Sequence, residues 1–348
     1  MEQQASDLHF HAGHVPIIRY NGDMVPLPFR ELTAIETKRF LSEIMTKKQR
    51  EEFEDEQELD FVYSIEDVAR FRANVFKQSH GMGGVFRVIP NRLATLDELE
   101  LPKSLKKLCF MESGLVLVTG PTGSGKTTTL AAMINYINEK SNRHVITIED
   151  PIEFIHPQIN SIITQRQVGI HTHSFADALK STMREAPDLI VVGEMRDVET
   201  ITLALSAAET GVLVFGTLHA NSASKAIDRI LNVLPDESQE QMRGALSVLL
   251  RGIVAQHLCK RANGEGRIAA LEVLVQNFAV SNMIREAKIH QIDAFMDTAS
   301  KENPDIQTMD ACLLRFIRSG LIDPEEGIKI ANHPEILRDQ IRDLIEED

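Results

Sequence analysis

The sequence predicts an α/β chain in which a small α+β unit precedes a parallel-sheet core and a helical region follows it. Three observations carry this. From Leu105 onward, short continuous apolar runs alternate with helical patterns, as expected for a sheet buried on both faces. Before about residue 90 the strand candidates are half-polar and separated by turn signals, the texture of antiparallel pairs. The third is the apolar run Leu115-Val116-Leu117-Val118, which leads into a glycine-rich loop and then into the apolar helical stripe Leu130–Ile137.

Along the chain, Ser6–His11 and Pro16–Tyr20 read as strands, and Asn21-Gly22 is a two-residue hairpin signal ahead of Met24-Val25. Thr33 to Glu56 carries Ile35, Phe40, Leu41, Ile44 and Met45 at helical spacing and ends in a solvated acidic run. Strands are expected over 59–65, 69–76 and 84–89, completing an N-terminal domain of residues 1–90. Pro90-Asn91-Arg92 opens a polar stretch, and a linker is expected over 91–102. The core, 103–278, offers strands at Leu115–Thr119, His144–Ile148, Leu189–Val192, Leu213–Thr217 and Ile268–Val275, taken together as a parallel sheet. Helices are expected over 175–184 and 198–209. Residues 279–348 are helical in pattern, punctuated by Gly320, Pro324 and Pro334.

Lys plus Arg number 37 and Asp plus Glu 51, a net charge of −14. That balance weighs against sequence-independent nucleic-acid binding, which depends on clustered basic residues, so no nucleic-acid partner is expected. No apolar run approaches the ~20 residues of a membrane span, and no signal-peptide pattern opens the chain. A cytoplasmic protein is expected. Cys109, Cys259 and Cys312 stand singly with no C-x-x-C pair, which suggests buried apolar roles and neither a disulfide framework nor a zinc site.

Gly120-Pro121-Thr122-Gly123-Ser124-Gly125-Lys126-Thr127 matches the G-x-x-x-x-G-K-[ST] phosphate loop, with Thr128 next, between a strand and a helix. Its glycines let backbone N–H groups turn toward phosphates, and the helix N-terminus adds partial positive charge. Lys126 is expected on the β- and γ-phosphates and the Thr127 hydroxyl on Mg²⁺, so a nucleoside triphosphate with Mg²⁺ is the expected ligand, which the resemblance given below makes ATP. Hydrolysis further needs an acid beneath the metal and a group to orient water. Leu189–Val192 delivers Glu194 at the strand end where open α/β sheets bind ligands, so Glu194 reads as the metal-side acid. A second strand, Val145–Ile148, runs into Glu149-Asp150-Pro151-Ile152-Glu153. Those carboxylates would repel one another without a cation or water among them, and their order does not rank them. A third strand, Leu213–Leu218, ends in His219, a polar group able to sense a γ-phosphate.

The elements Gly-Pro-Thr-Gly-Ser-Gly-Lys-Thr, Ile-Glu-Asp-Pro-Ile-Glu, Val-Gly-Glu-Met-Arg-Asp and Gly-Thr-Leu-His-Ala-Asn, in that order, resemble the Walker A, aspartate, Walker B and histidine boxes of the type II/IV secretion ATPase superfamily. With Ala-Ser-Asp-Leu-His at 5–9, Val-Ala-Arg-Phe-Arg-Ala-Asn at 68–74 and Ala-Glu-Thr-Gly at 208–211, nearly the whole chain resembles the PilT/PilU branch, the retraction ATPases of type IV pili. The resemblance implies a RecA-like P-loop NTPase core, a PAS-like N-terminal domain and a ring of six copies. It makes Glu153 the catalytic glutamate, Glu194 the Mg²⁺-side acid and His219 a γ-phosphate-linked sensor. It also makes Arg72 and Arg87 the arginines that reach the phosphates, although as bare residues they look like ordinary strand arginines.

The implied function is pilus retraction driven by ATP hydrolysis and domain rotation. The implied partners are an inner-membrane platform protein at the cytoplasmic face and a paralogous retraction ATPase. Arg184–Asp188 and Leu218–Asn221 lean toward the accessory paralogue, and Gly193–Asp197 toward the main motor. Ala279–Glu286 resembles the AIRNLIRE element of these motors with Ser281 in place of an arginine, and relatives usually carry a further short helix ahead of Ala5. A nucleic-acid motor on the same core is the competing reading. The acidic balance and the lack of an aromatic-plus-basic platform weigh against it.

Overall fold

The computed structural model describes residues 5–20, 23–66, 68–89 and 92–342. Among these, one compact unit takes the residues up to Arg92 together with Pro151–Ile155, and the second takes Leu93–Asp150 and the residues from His156 onward.

The first unit is a sheet of β1 (Asp7–His11), β2 (Ile17–Tyr20), β3 (Asp23–Pro26), β4 (Glu58–Ile65), β5 (Ala69–Gln78) and β6 (Gly81–Ile89). Its order is β3-β2-β1-β6-β5-β4 and every neighbouring pair is antiparallel. Tyr20 pairs with Asp23, while the expected Asn21-Gly22 turn lies outside the described residues. Strand alternation separates two faces. Leu8, Phe86, Ala73 and Phe61 fall in one cross-strand row, and Leu41 and Phe53 are buried in the same core as Ala73 and Phe61. Asp7, Arg87 and Arg72 form the adjacent row and therefore point to the opposite face.

The helical stretch expected over 33–56 is two helices, α1 (Ala34–Glu43) and α2 (Lys47–Glu56). The break is at Thr46, whose hydroxyl accepts from the Gln49 N–H while the Gln49 side chain accepts from the Thr46 N–H. This capping box starts a new helix as firmly as the Thr33–Glu36 box starts α1.

The second unit holds β7 (Gly114–Thr119), β8 (His144–Glu149), β9 (Ile162–Gln167), β10 (Leu189–Val192), β11 (Leu213–Leu218), β12 (Leu250–Lys260) and β13 (Arg267–Val275), in the order β13-β12-β7-β11-β10-β8-β9. Neighbours are parallel except β12 and β13, which pair antiparallel from Gly252↔Val275 to Lys260↔Arg267. This corrects the expectation that Ile268–Val275 belongs with the parallel strands. A β12–β13 hairpin needs only a short turn, whereas parallel neighbours need a crossover. Helices α3 (Lys103–Cys109), α4 (Lys126–Lys140), α5 (Phe175–Thr182), α6 (Val198–Glu209), α7 (Ala223–Asn232) and α8 (Asp236–Leu249) intervene. One core joins Leu117, Ile190 and Val214 to α6 and α7, and another joins Val116, Val118 and Phe215 to Met133 and Ile137 of α4.

The expected linker is packed in part: Leu96 and Leu101 are buried with Leu105 and Leu108 in the second unit. After β13 the described chain is helical: α9 (Phe278–Arg285), a 3₁₀ turn at Ile289–Gln291, α10 (Ile292–Ala299), α11 (Met309–Arg318), α12 (Pro324–Ile330) and α13 (Pro334–Gln340). Met309, Leu313 and Phe316 of α11 bury against Cys259, Ile268 and Ala270. All three cysteines are buried and unpaired, and burial pushes the Cys109 and Cys259 thiols up to about 12.

Candidate functional site

In the second unit, β7 ends at Thr119 and the chain turns through Gly120 to Gly125 before α4 begins at Lys126. All three glycines of this turn take positive φ, Gly120 at 147°, Gly123 at 78° and Gly125 at 86°, backbone that side chains rarely adopt. Gly125 is the cap residue of α4, and no side chain caps that end. The first turn thus presents backbone N–H groups and the positive end of the helix dipole toward the loop, the arrangement that binds anions. The Lys126 ammonium donates to the Gly120 and Pro121 carbonyls at 2.9 Å each, which keeps the charge folded over the loop. Burial holds the Lys126 pKa below its ordinary value, with the Glu194 charge acting in opposition. Thr127 is exposed at the second residue of α4, and Thr128 is half-buried.

The ends of β10 and β11 bring Glu194 and His219 to the same sheet edge. The Gly193 N–H donates to the Ile148 carbonyl at 2.8 Å, and Met195 N–H donates to Thr217 O at 3.0 Å, so Glu194 is pinned on both sides. His219 Nε2 lies 2.9 Å from Glu194 Oε1, and Arg196 Nε forms a short ion pair with the same oxygen. Burial raises the Glu194 pKa, but Arg196 and His219 outweigh burial and leave it below its ordinary value. Glu194 therefore stays ionised at neutral pH. Gly216 makes room for the neighbouring Met195 side chain, because a Cβ there would collide with Met195 Sδ.

The carboxylates of 149–153 separate by partner. Glu149 accepts from Thr147 Oγ1 at 2.6 Å and from Gln165 Nε2 at 3.1 Å. The charge of Asp150 helps hold Arg196 protonated, after the larger effect of Glu194. Glu153 belongs to the first unit, where its Oε1 lies 3.8 Å from Arg72 Nη1. Arg70 donates to the Glu153 carbonyl at 2.8 Å and to the Ile152 carbonyl at 3.0 Å. Arg70 sits two residues before Arg72 on β5, hence on the same face, and the Arg-Phe-Arg alternation is the sequence signal that would have found it. Arg72 and Arg87 stand directly opposite each other on β5 and β6. Arg87 donates from Nε to Asp7 Oδ1 at 2.8 Å, and Arg72 also lies 3.7 Å from Asp60. Burial pushes the Asp7 pKa up, yet the Ser6 hydroxyl and Arg87 more than offset it and hold it below its ordinary value.

Each unit thus gathers its own members of the expected set. The second holds the loop from Gly120 to Thr128 with Glu194 and His219; the first holds Arg72, Arg87 and Glu153. The second unit also contributes Gln256, which the sequence reading missed because it missed β12. Its side chain is buried and donates from Nε2 to the Ser124 carbonyl at 2.6 Å.

Known proteins resemble this chain over most of its length. The chain is 48% identical to a twitching motility protein of Neisseria gonorrhoeae over 92% of its own length and 85% of that relative. It is 46% identical to the type IV pilus retractation ATPase PilT of Pseudomonas aeruginosa over 96% of both chains. It is 40% identical to the type IV pilus ATPase PilU of the same organism, over 98% of its own length and 89% of that relative. A crystal structure of the pilus retraction motor PilT with bound ADP superposes with a TM-score of 0.89 at 44% identity, covering 97% of this chain and 96% of that one. The RecA-like core and PAS-like N-terminal unit are therefore the architecture of these ATPases. With its loop, acid and histidine elements in order, and with residues 1–294 matched by the type II/IV secretion system protein family, the chain belongs to that family.

Proposed function

We propose that this chain is the ATP-hydrolysing subunit of a hexameric motor that powers type IV pilus retraction. The observation that carries the reading is the convergence in the second unit of the Lys126 loop, the ionised Glu194 and His219. Likeness to PilT over nearly the whole chain supports the cargo. The donors suit Mg²⁺, a hard cation that takes carboxylate and hydroxyl oxygens together with phosphate: Glu194 remains ionised, and Thr127 offers an exposed hydroxyl at the start of α4. Bound there, Mg²⁺ would neutralise phosphate charge. Lys126 and the loop N–H groups orient the nucleotide, Glu153 takes the proton of the attacking water, and His219 reports on the γ-phosphate through Glu194. The partners in this reading are five further copies, an inner-membrane platform protein and a paralogous ATPase, with the ring at the cytoplasmic face.

The test is ATP turnover by the purified chain with Mg²⁺ and after chelation. Turnover should require the cation, and Lys126→Ala should abolish it together with pilus retraction in cells. Turnover that survives both treatments would refute the reading.

Arg72 is assigned to the transition state, where a planar guanidinium neutralises charge on the γ-phosphoryl oxygens. Arg72→Ala should then lower kcat by about 10³-fold while changing nucleotide affinity only a few-fold. Equal losses in both would make Arg72 a structural partner of Glu153 and Asp60 and nothing more.

A further inference from the structure

Gln256 lies on β12 just past its last paired position with β7, Ala255↔Thr119, and is therefore level with the start of the phosphate loop. Its side chain is 1% exposed. Both ends of the amide are used: Nε2 donates to the Ser124 carbonyl at 2.6 Å, and Oε1 accepts from the Thr129 hydroxyl at 2.7 Å. The contact is close enough to dictate two loop residues. A Cβ on Gly120 would stand 2.3 Å from the Gln256 carbonyl oxygen, and one on Gly125 would stand 2.8 Å from Gln256 Nε2.

A trans peptide sends its C=O and the following N–H in opposite directions. With the Ser124 carbonyl fixed on Gln256, the Gly125 N–H must face away from Gln256, and the left-handed Gly125 then starts α4. The second hydrogen bond ties the same amide to Thr129, one turn into α4, so loop and helix are held at a fixed angle.

We propose that Gln256 is a positioning residue for nucleotide binding: it bridges Ser124 and Thr129 and so sets which way the Ser124–Gly125 peptide points in the phosphate loop. This rests on the nucleotide reading given above. Removing the amide leaves a buried carbonyl and a buried hydroxyl without partners and frees that peptide to rotate.

The experiment measures ADP and adenosine affinities of the purified full chain by competition against a fluorescent adenine nucleotide, for wild type, Gln256→Leu, Gln256→Met and Thr129→Val. Thermal unfolding is recorded beside them. Gln256→Leu should weaken ADP about tenfold or more, as expected for one or two buried hydrogen bonds, and leave adenosine nearly unchanged. Thr129→Val removes one arm only and should cost ADP less. Gln256→Met, which is more adaptable in packing, carries the test if the leucine variant does not fold. Wild-type ADP affinity in a folded Gln256 variant overturns the proposal, as does an equal loss for ADP and adenosine. Failure of the wild-type chain to bind ADP would instead overturn the nucleotide reading itself.

Discussion

Glu153→Gln should lower ATP turnover by about 10²–10⁴-fold while leaving ADP affinity near wild type. The exchange keeps the size of the side chain and removes its ability to take a proton. It also leaves the local backbone in place, because Arg70 holds this segment through the carbonyls of Ile152 and Glu153 and does not touch the carboxylate. What is lost besides the base is the attraction between Glu153 and Arg72 across 3.8 Å, a pair that is partly exposed on both sides and worth little to stability. A turnover assay combined with a direct ADP titration and an unfolding curve separates the effects. Normal turnover in the folded variant would take Glu153 out of the chemistry, and attention would pass to Glu149 and Asp150 on the same segment.

The second large effect concerns Glu272 on β13, which is 3% exposed. Its Oε1 accepts from the Ala223 N–H at the start of α7 at 2.7 Å, and its Oε2 accepts from Asn332 Nδ2 at 3.1 Å. Burial, with help from Asp293, raises its pKa from 4.5 to about 7, against the opposing pull of those hydrogen bonds. Between those two values the folded chain keeps a proton that the unfolded chain has released. Raising the pH through that window therefore weakens the fold, and the cost is complete above about pH 7. Glutamine cannot ionise, and Asn332 can turn its amide to meet it. Glu272→Gln should be more stable than wild type at pH 8, by on the order of 3 kcal/mol, and the difference should shrink as the pH falls and vanish below about pH 4. Urea midpoints measured across that range decide it. Two curves that run parallel with pH would mean that the carboxyl is not the titrating group.

Much of the site was legible because phosphate chemistry demands particular residues at fixed spacing. Gly120 to Thr127, Glu194 and His219 were readable as candidates from local sequence once each was seen to follow an apolar strand. The arginines were a different matter. Arg72 and Arg87 became neighbours only through the register of β5 with β6, a long-range pairing that no local pattern reveals. β9 escaped because Ile162-Ile163-Thr164-Gln165-Arg166-Gln167 lies at the sheet edge and keeps only two apolar residues. β12 escaped because α8 passes into it at Leu249-Leu250 with no turn residue between, and Gly252 interrupts the strand pattern. The missed β12 hid Gln256 as well. The break between α1 and α2 was readable, since Thr46 and Gln49 carry the cap in plain sequence.

The buried cysteines have a practical consequence. Thiol-reactive dyes attack the thiolate, and with Cys109 and Cys259 held near 12 and Cys312 also raised and enclosed, the native chain should be almost silent to maleimide at neutral pH. One cysteine introduced on the surface of either unit would then carry the whole label. Fluorescent or spin reporters could follow the motion of each unit during turnover without first stripping the protein of its own sulfur.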